Sequence, residues 1–310
     1  MSTAGRGGAD VPAHPYARAA YATAQAGEEN LHPAPGLGEH LVRRAVTEEF
    51  FDLAGVYPMS PMGGARAAEE GLERVRQAGA VSLVMVPDPL WSPHPSELQA
   101  IFDHFRPFKP HFLVDPGVSG FAPSRHHRER IRRGLRRCTV DEVRLCDWMG
   151  LWEQLYLDLQ ARRGFQGPAA FSASYAAMLA SQPEIRAFLA RTRDGEGVGM
   201  TLWFAHGGVA YNHLTAVNLR GYAAGATYAL YDAAIAAFGG CVINLGGGAG
   251  AGDGAGGLAE FKRGFANSQV QAWIAGAILD RTAYERLVQA APGEVAAAPA
   301  YFPAYRAGRA

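Results

Sequence analysis

Short apolar runs alternate along this chain with stretches in which apolar residues recur every three or four positions. Runs rich in β-branched residues predict strands, whereas helical spacing predicts helices. We expect strands at residues 49–53, 81–86, 111–114, 185–192, 198–204, 209–217, 242–245 and 270–278. We expect helices at residues 65–78, 96–105, 124–137, 141–163, 172–179, 223–238, 258–266 and 283–289, the second of them capped by Ser96. This order is typical of an α/β protein in which helices flank a mixed, partly antiparallel sheet.

The pattern also suggests how the chain is divided. Residues 1–38 are rich in Ala, Gly and Pro and show no sustained period, so we expect a flexible tail. Residues 39–137 and 138–310 then carry a similar mixture of strands and helices. We therefore expect two halves of related architecture.

Composition limits the classes of function. The formal net charge is zero, so attraction to a charged partner must come from local patches. Three cysteines without a CxxC pair argue against a disulfide framework or a cysteine-based zinc site, and a cytoplasmic location is the expectation. Residues 1–16 lack the apolar core of a signal peptide and no apolar stretch is long enough to span a bilayer, so we expect no membrane insertion. The sequence contains no HExxH motif and no EF-hand loop, so no bound metal is expected.

A glycine-rich stretch carries the first candidate chemistry. GGGAGAGDGAGGLAEFKRGFA covers residues 246–266, after a predicted strand and leading into a predicted helix. Glycines allow close backbone approach, and amides before a helix can bind an anion. Lys262 lies in that helix and is one of only two lysines among the 29 basic residues; the other is Lys109. The spacing does not match GxxxxGK[ST], and a flexible linker is the alternative.

A second loop and a basic segment add candidate ligand contacts. Residues 220–226 join a predicted strand to a predicted helix, again a geometry for phosphate binding, although an ordinary tight connection is the alternative. Residues 124–137 contain seven arginines, of which four recur at helical spacing: Arg125, Arg128, Arg132 and Arg136. Such a helix suits contact with the tRNA backbone, and a solvated surface helix is the alternative.

Four stretches of the C-terminal half resemble the FemAB-like branch of the GNAT acyltransferase superfamily. Residues 257–265, GLAEFKRGF, are similar to the family's GLxxFKxGF segment. Three further stretches resemble other parts of the family. They are the Trp152-x3-Tyr156 helix leading to Arg162-Arg163-Gly164, the hairpin at residues 198–214, and the Arg220-x-x-Ala223-x-Gly225 loop, in which Ala223 replaces a glycine. The resemblance covers about residues 140–306. It implies a GNAT-like fold in two halves, the first degenerate.

The resemblance implies an N-acyltransferase that moves an aminoacyl or acyl group onto a primary amine. It places Phe261 and Lys262 at the catalytic centre, with the lysine facing developing negative charge. Residues expected to bind the donor's phosphates are Arg163, Arg220, Ala223, Gly225, Gly247 and Gly257. Tyr211 and His213 share one strand face, so either is a candidate general base, although a hydrogen-bonded structural histidine and substrate-assisted proton transfer are alternatives.

The donor is left open at this stage. We expect aminoacyl-tRNA as the preferred co-substrate, acyl-CoA as the alternative, and no tightly bound cofactor. The acceptor is expected to be a small-molecule or cell-wall-type amine. A third interpretation is a non-catalytic RNA-binding protein on the same fold. The oligomeric state is not indicated.

Overall fold

The predicted alternation of strands and helices builds one continuous mixed sheet in the computed structural model. The structure describes residues 13–118, 122–164, 172–249, 256–291 and 301–307. Its strands are β1 Leu31–Ala34, β2 Glu39–Ala45, β3 Phe51–Gly55, β4 Ser82–Met85, β5 His104–Val114, β6 Cys138–Val143, β7 Ile185–Thr192, β8 Gly197–His206, β9 Val209–Val217, β10 Val242–Asn244 and β11 Ser268–Ile278. Their order across the sheet is β1-β2-β3-β4-β11-β5-β10-β9-β8-β7-β6.

Ten α-helices in the described residues cover this sheet. They are α1 Ala19–Ala26, α2 Ala65–Arg76, α3 Pro95–Ile101, α4 Arg125–Arg137, α5 Met149–Arg163, α6 Ala173–Ser181, α7 Leu219–Ala224, α8 Ala226–Ala237, α9 Gly257–Arg263 and α10 Arg281–Ala290. Helix α8 packs on β6, β7 and β8, and α4 packs on α8. None of these helices is both long enough and apolar enough to cross a bilayer.

The two halves exchange their last long strands. Strand β5 precedes the predicted division at residue 137, yet it pairs with β10 of the second half, while β11 of the second half pairs with β4 of the first. At the centre of the sheet β5 and β11 pair with each other in antiparallel register. Strand β5 of the first half therefore lies directly beside β10 of the second half.

The expectation of a flexible tail is wrong for residues 13–38. Tyr16, Tyr21 and Ala22 are buried in a core cluster together with residues of both halves, and β1 pairs with β2. An Ala- and Pro-rich composition hid this segment, because a few buried aromatic residues, rather than a periodic stripe, attach it to the core. Residues 1–12 lie outside the described residues.

Three predicted elements need correction. The helix expected at residues 141–163 is strand β6, a short 3₁₀ turn and then α5, because β6 is an edge strand whose polar residues conceal it. His94, not Ser96, caps α3 through its side chain. The helix expected at residues 223–238 is two helices, which are separated at Gly225 because its φ of +83° cannot continue an α-helix.

Candidate active site

The start of the glycine stretch is fixed to the sheet, not a loose linker. Gly246 adopts a φ of +77°, and its N–H donates to Asn244 Oδ1 at 2.8 Å. Its carbonyl accepts from the N–H of Phe112 on β5 at 3.2 Å. A Cβ at Gly247 would lie 2.7 Å from Cδ of Lys109, so that position has no room for a side chain. The linker alternative is wrong for residues 246–249, and residues 250–255 lie outside the described part of the chain.

Lys262 of α9 lies against this loop. Its side chain is buried, and its Nζ donates to the Gly247 carbonyl at 2.9 Å. Burial, with a further contribution from Lys109, lowers the pKa of Lys262 to about 7. The loop therefore supplies a carbonyl to the lysine, and the ammonium and the neutral amine are both populated near neutral pH.

Two residues of β5 that the sequence reasoning did not assign to the site join Lys262. Lys109 Nζ donates to the Gly248 carbonyl at 3.4 Å, and burial lowers the pKa of Lys109 as well. His111 is buried, and burial together with the charges of Lys262 and Lys109 lowers its pKa to about 3. The signal that could have identified Lys109 is its rarity, since the chain has no third lysine.

Phe261 holds α9 in place. Its ring packs edge-on against Tyr228 and Tyr231 of α8, with centroids 5.0 and 4.8 Å away. Its carbonyl accepts from His127 Nε2 of α4 at 2.8 Å. The structure thus gives Phe261 a packing role that fixes the helix carrying Lys262. Gly257 is the exposed first residue of that helix.

The arginine-rich helix α4 docks directly on α9. Besides the His127 contact, the Ser124 N–H donates to the Gly264 carbonyl at 2.9 Å. Helix α4 buries only His127, Ile131 and Gly134. Its arginines are all exposed, including the four predicted tRNA contacts Arg125, Arg128, Arg132 and Arg136. The basic face therefore begins beside the Lys262 helix.

The second loop differs from the open amide turn expected at residues 220–226. The N–H groups of Gly221, Tyr222 and Gly225 all donate within the loop, to Asn218 Oδ1, the Asn218 carbonyl and the Tyr222 carbonyl. The carbonyl of Ala223 accepts from Arg137 of α4 at 3.0 Å.

The predicted basic groups at this loop are also placed differently. Arg220 forms ion pairs with Asp194, at 2.6 Å, and with Glu196. Arg163 is exposed at the end of α5, whereas the adjacent Arg162 donates to the Val217 carbonyl at 2.6 Å and lies over the Tyr222 ring. Phosphate binding at Arg220 would have to compete with two carboxylates.

His213 occupies a bulge in β9 and takes part in a directed hydrogen-bond chain. Register jumps from the Leu202–Leu214 pair to the Trp203–Asn212 pair, so His213 is the extra residue of the bulge. Its Nδ1 lies 3.2 Å from Tyr16 Oη and its Nε2 lies 2.7 Å from Tyr175 Oη. Burial lowers the pKa of His213 to about 3.

The direction of each hydrogen bond in this series follows from counting protons, because each tyrosine hydroxyl has only one proton to donate. Tyr21 donates to the Tyr57 carbonyl at 2.8 Å, and Tyr175 therefore donates to Tyr21 at 3.0 Å. His213 Nε2 must then donate to Tyr175, so its Nδ1 accepts from Tyr16. Both ring nitrogens are engaged, which supports the structural interpretation of His213.

Tyr211 stands opposite Asn244 in the parallel pairing of β9 with β10. Its side chain is buried, and burial, with the nearby Asp88 carboxyl, raises the pKa of Tyr211 well above its usual value. The hydroxyl therefore keeps its proton at neutral pH. Tyr211 and His213 both contact Tyr16, so they share a face of the sheet as expected.

Comparison with known proteins identifies solved structures with a similar fold. No family model matches the chain, and no curated protein matches it in sequence. Among solved structures it resembles FemX, with a TM-score of 0.59 and 13% identity over 80% of this chain and 86% of the other. It also resembles L-PGS from Bacillus licheniformis, with a TM-score of 0.58 and 13% identity over 81% and 85% of the two chains.

A further similar structure is the C-terminal domain of a putative lysylphosphatidylglycerol synthetase from Agrobacterium fabrum. The TM-score is 0.56 and the identity 16%, over 76% of this chain and 80% of the other. The resemblance in sequence to FemAB-like proteins is thus confirmed at the level of the fold. At these sequence identities the likeness shows a shared fold and nothing further.

Proposed function

We propose that this protein is an N-acyltransferase that moves an activated aminoacyl group from tRNA onto a primary amine. The observation that carries the proposal is Lys262, a buried lysine held by the glycine loop on a helix to which the arginine-rich α4 is docked. The likeness to FemX and L-PGS supports an acyltransferase at the coarse level.

Lys262 suits stabilisation of the charge that forms in acyl transfer. The acceptor nitrogen attacks the ester carbonyl, so a C–N bond forms and the carbonyl oxygen becomes negative. When this intermediate collapses, the C–O bond to the ribose breaks, and the proton lost by the amine passes to the leaving ribose oxygen. A buried ammonium beside the oxyanion is worth far more than one in water, because the low local dielectric strengthens the interaction.

No protein base is needed for this sequence. His213 is engaged at both nitrogens, and Tyr211 retains its proton, so neither fits the role of proton acceptor. Proton transfer from the attacking amine to the leaving ribose oxygen completes the balance.

Two observations favour RNA over coenzyme A as the carrier of the acyl group. The second loop uses its own amides, and its Arg220 is already paired with acids. The arginines of α4, of which Arg125 pairs with Glu129 at 3.3 Å, are exposed along a helix that contacts α9. An exposed basic face of this kind attracts a phosphate backbone without needing a preformed pocket.

The test compares donors in one transfer assay. Radiolabelled bulk aminoacyl-tRNA or labelled acetyl-CoA is incubated with the protein and a panel of primary amines, and label in the amide product is counted against an enzyme-free control. We expect product from aminoacyl-tRNA only, with a rate that falls steeply as salt rises. Product from acetyl-CoA alone would overturn the choice of donor, and no product from either donor, with salt-dependent RNA binding, would favour a non-catalytic RNA-binding protein.

A further inference from the structure

Strands β9 and β10 separate beside Lys262. Their last paired residues are Tyr211 and Asn244, after which the chain that follows β10 continues to pair with β5. Gly247, which accepts from Lys262 Nζ, is three residues beyond Asn244. Leu214 is likewise three residues beyond Tyr211 on β9. Since the two strands run parallel, Gly247 and Leu214 lie on opposite sides of the gap that opens between them.

Leu214 also lines a cavity of about 120 Å³, which we call the α5–α6 pocket. Its other walls come mainly from α5 and α6 and include the rings of Trp152, Tyr156 and Tyr175 together with the Ala176 methyl group. The Trp152 and Tyr156 rings stack with their centroids 5.5 Å apart. An apolar cavity of about 150 Å³ admits benzene, so the α5–α6 pocket has room for a branched aliphatic side chain.

One charged group belongs to this pocket. Glu153 is the sole charged side chain among the described residues that line it, and it is half-buried. None of the arginines, lysines and histidines that the structure describes forms an ion pair with its carboxylate. A carboxylate next to aromatic and aliphatic walls is complementary to a ligand that carries an ammonium group beside an apolar side chain.

We propose that the α5–α6 pocket binds the amino acid of the donor, with a branched aliphatic side chain between the aromatic rings and the α-ammonium paired with Glu153. This rests on the proposed function for the identity of the donor. The acyl carbon has to lie at Lys262 Nζ, across the gap from Leu214. The groups attached to the α-carbon are then directed toward the pocket.

The carboxylate favours the donor's amino acid over the acceptor amine as the occupant. The acceptor nitrogen attacks through its lone pair, so a carboxylate that stabilises its ammonium form would oppose the reaction. The α-ammonium of the aminoacyl group takes no part in bond formation and can keep its charge throughout. Glu153 is therefore a specificity-determining residue, which separates aminoacyl groups from acyl groups that carry no ammonium.

The test measures binding in the absence of RNA. Protein labelled with ¹⁵N at tryptophan gives five indole N–H signals, and Trp152→Phe identifies the signal from the pocket. The probe is L-leucinamide, which carries the ammonium, the isobutyl side chain and the carbonyl of a leucyl ester. We expect it to move the Trp152 signal saturably at pH 6.5, where an α-amino group with a pKa of about 8 is protonated. Glycinamide, which has no side chain, and 4-methylpentanamide, which has no ammonium, should each bind at least tenfold more weakly.

Variants test the charged and the apolar part of the pocket separately. Glu153→Gln should weaken leucinamide binding at least tenfold and leave the weak binding of 4-methylpentanamide unchanged. The matched control is Asp158→Asn, which removes a negative charge from an exposed position of the same helix and should keep the Kd within twofold of the wild type. Ala176→Leu should abolish the leucinamide-dependent shift by filling the pocket. If Ala176→Leu does not fold, Glu153→Gln still decides, because its position is only half-buried.

The same pocket should set the choice of amino acid in transfer. We expect kcat/KM to be at least tenfold higher for leucyl-tRNA than for glycyl-tRNA, and Ala176→Leu to reverse this preference. The acceptor in both reactions is 3-methylbutylamine. An unchanged leucyl-to-glycyl ratio in Ala176→Leu, together with a raised KM for 3-methylbutylamine, would assign the pocket to the acceptor and overturn the proposal.

Two results of the titration would also overturn the proposal. The first is a Trp152 signal that stays fixed in saturating leucinamide, and the second is equally tight binding of glycinamide or 4-methylpentanamide. Because the titration uses no donor, leucinamide binding by a protein that transfers no aminoacyl group would support the pocket and contradict the proposed function. Transfer by a protein that does not bind leucinamide would contradict the pocket alone.

Discussion

Replacing Lys262 with methionine should make the protein more stable at neutral and acidic pH. The wild-type side chain is buried, so its ammonium loses hydration that methionine never needed. The fall in the pKa of Lys262 from 10.5 to about 7 corresponds to roughly 5 kcal/mol, at about 1.4 kcal/mol per tenfold change. The Gly247 carbonyl loses its donor in the variant, which offsets roughly 1–3 kcal/mol of this.

The net expectation is a gain of about 2–4 kcal/mol in the free energy of unfolding for Lys262→Met at pH 6. The gain must depend on pH in one direction. Because the folded-state pKa of Lys262 lies below the unfolded value, the unfolded chain binds more protons between about pH 7 and 10.5. Wild-type stability therefore rises with pH across that window, and the advantage of the variant shrinks as the pH rises.

The assay is urea-induced unfolding of both proteins at pH 6, 7.5 and 9, followed by circular dichroism. Comparing the two proteins at each pH cancels the titration of all other groups. Lys262→Gln is the control for the lost hydrogen bond, since its side-chain amide is a neutral donor. A variant that is less stable by the same amount at every pH would refute the reasoning, because it would show that Lys262 has no desolvated charge in the folded state.

Three further expectations follow from the same contacts. Gly247→Ala should lower the free energy of unfolding by about 1–3 kcal/mol in thermal or urea unfolding and should weaken transfer, because its Cβ would lie 2.7 Å from the Lys109 side chain. A substitution without effect on stability would contradict the close packing of the loop. Arg132→Ala with Arg136→Ala should weaken tRNA binding and reduce the slope of log affinity against log salt by about 1–2 in filter binding; an unchanged slope would remove α4 from the interface. His213→Gln should lower stability yet leave the pH profile of transfer unchanged, and loss of a titrating limb would restore His213 as a base.

The parts of the site that are local in sequence could be predicted. Lys262 follows the glycine stretch within one chain segment, and strand, loop and helix appeared near the predicted residues. The basic helix was also evident, because its arginines recur at helical spacing. Such signals depend only on neighbouring residues, so composition and spacing reveal them.

The parts that depend on pairing between distant strands could not. Lys109 and His111 reach the loop only because β5 crosses into the second half, and no local pattern encodes that exchange. The same holds for the paired state of Arg220, which depends on two acids in another turn. Burial of Tyr16 and Tyr21 depends equally on surfaces contributed from elsewhere, so a composition typical of a tail misled the prediction.

The central claim is that Lys262 stabilises charge during acyl transfer, and single-turnover transfer from labelled aminoacyl-tRNA tests it most directly. Wild type, Lys262→Met and Lys262→Arg are compared with saturating donor and a primary amine, after unfolding curves show that each variant is folded. We predict that the methionine variant loses a factor of about 10²–10³ in the rate of the chemical step, while its tRNA affinity changes little. A folded methionine variant that transfers at the wild-type rate would contradict the account.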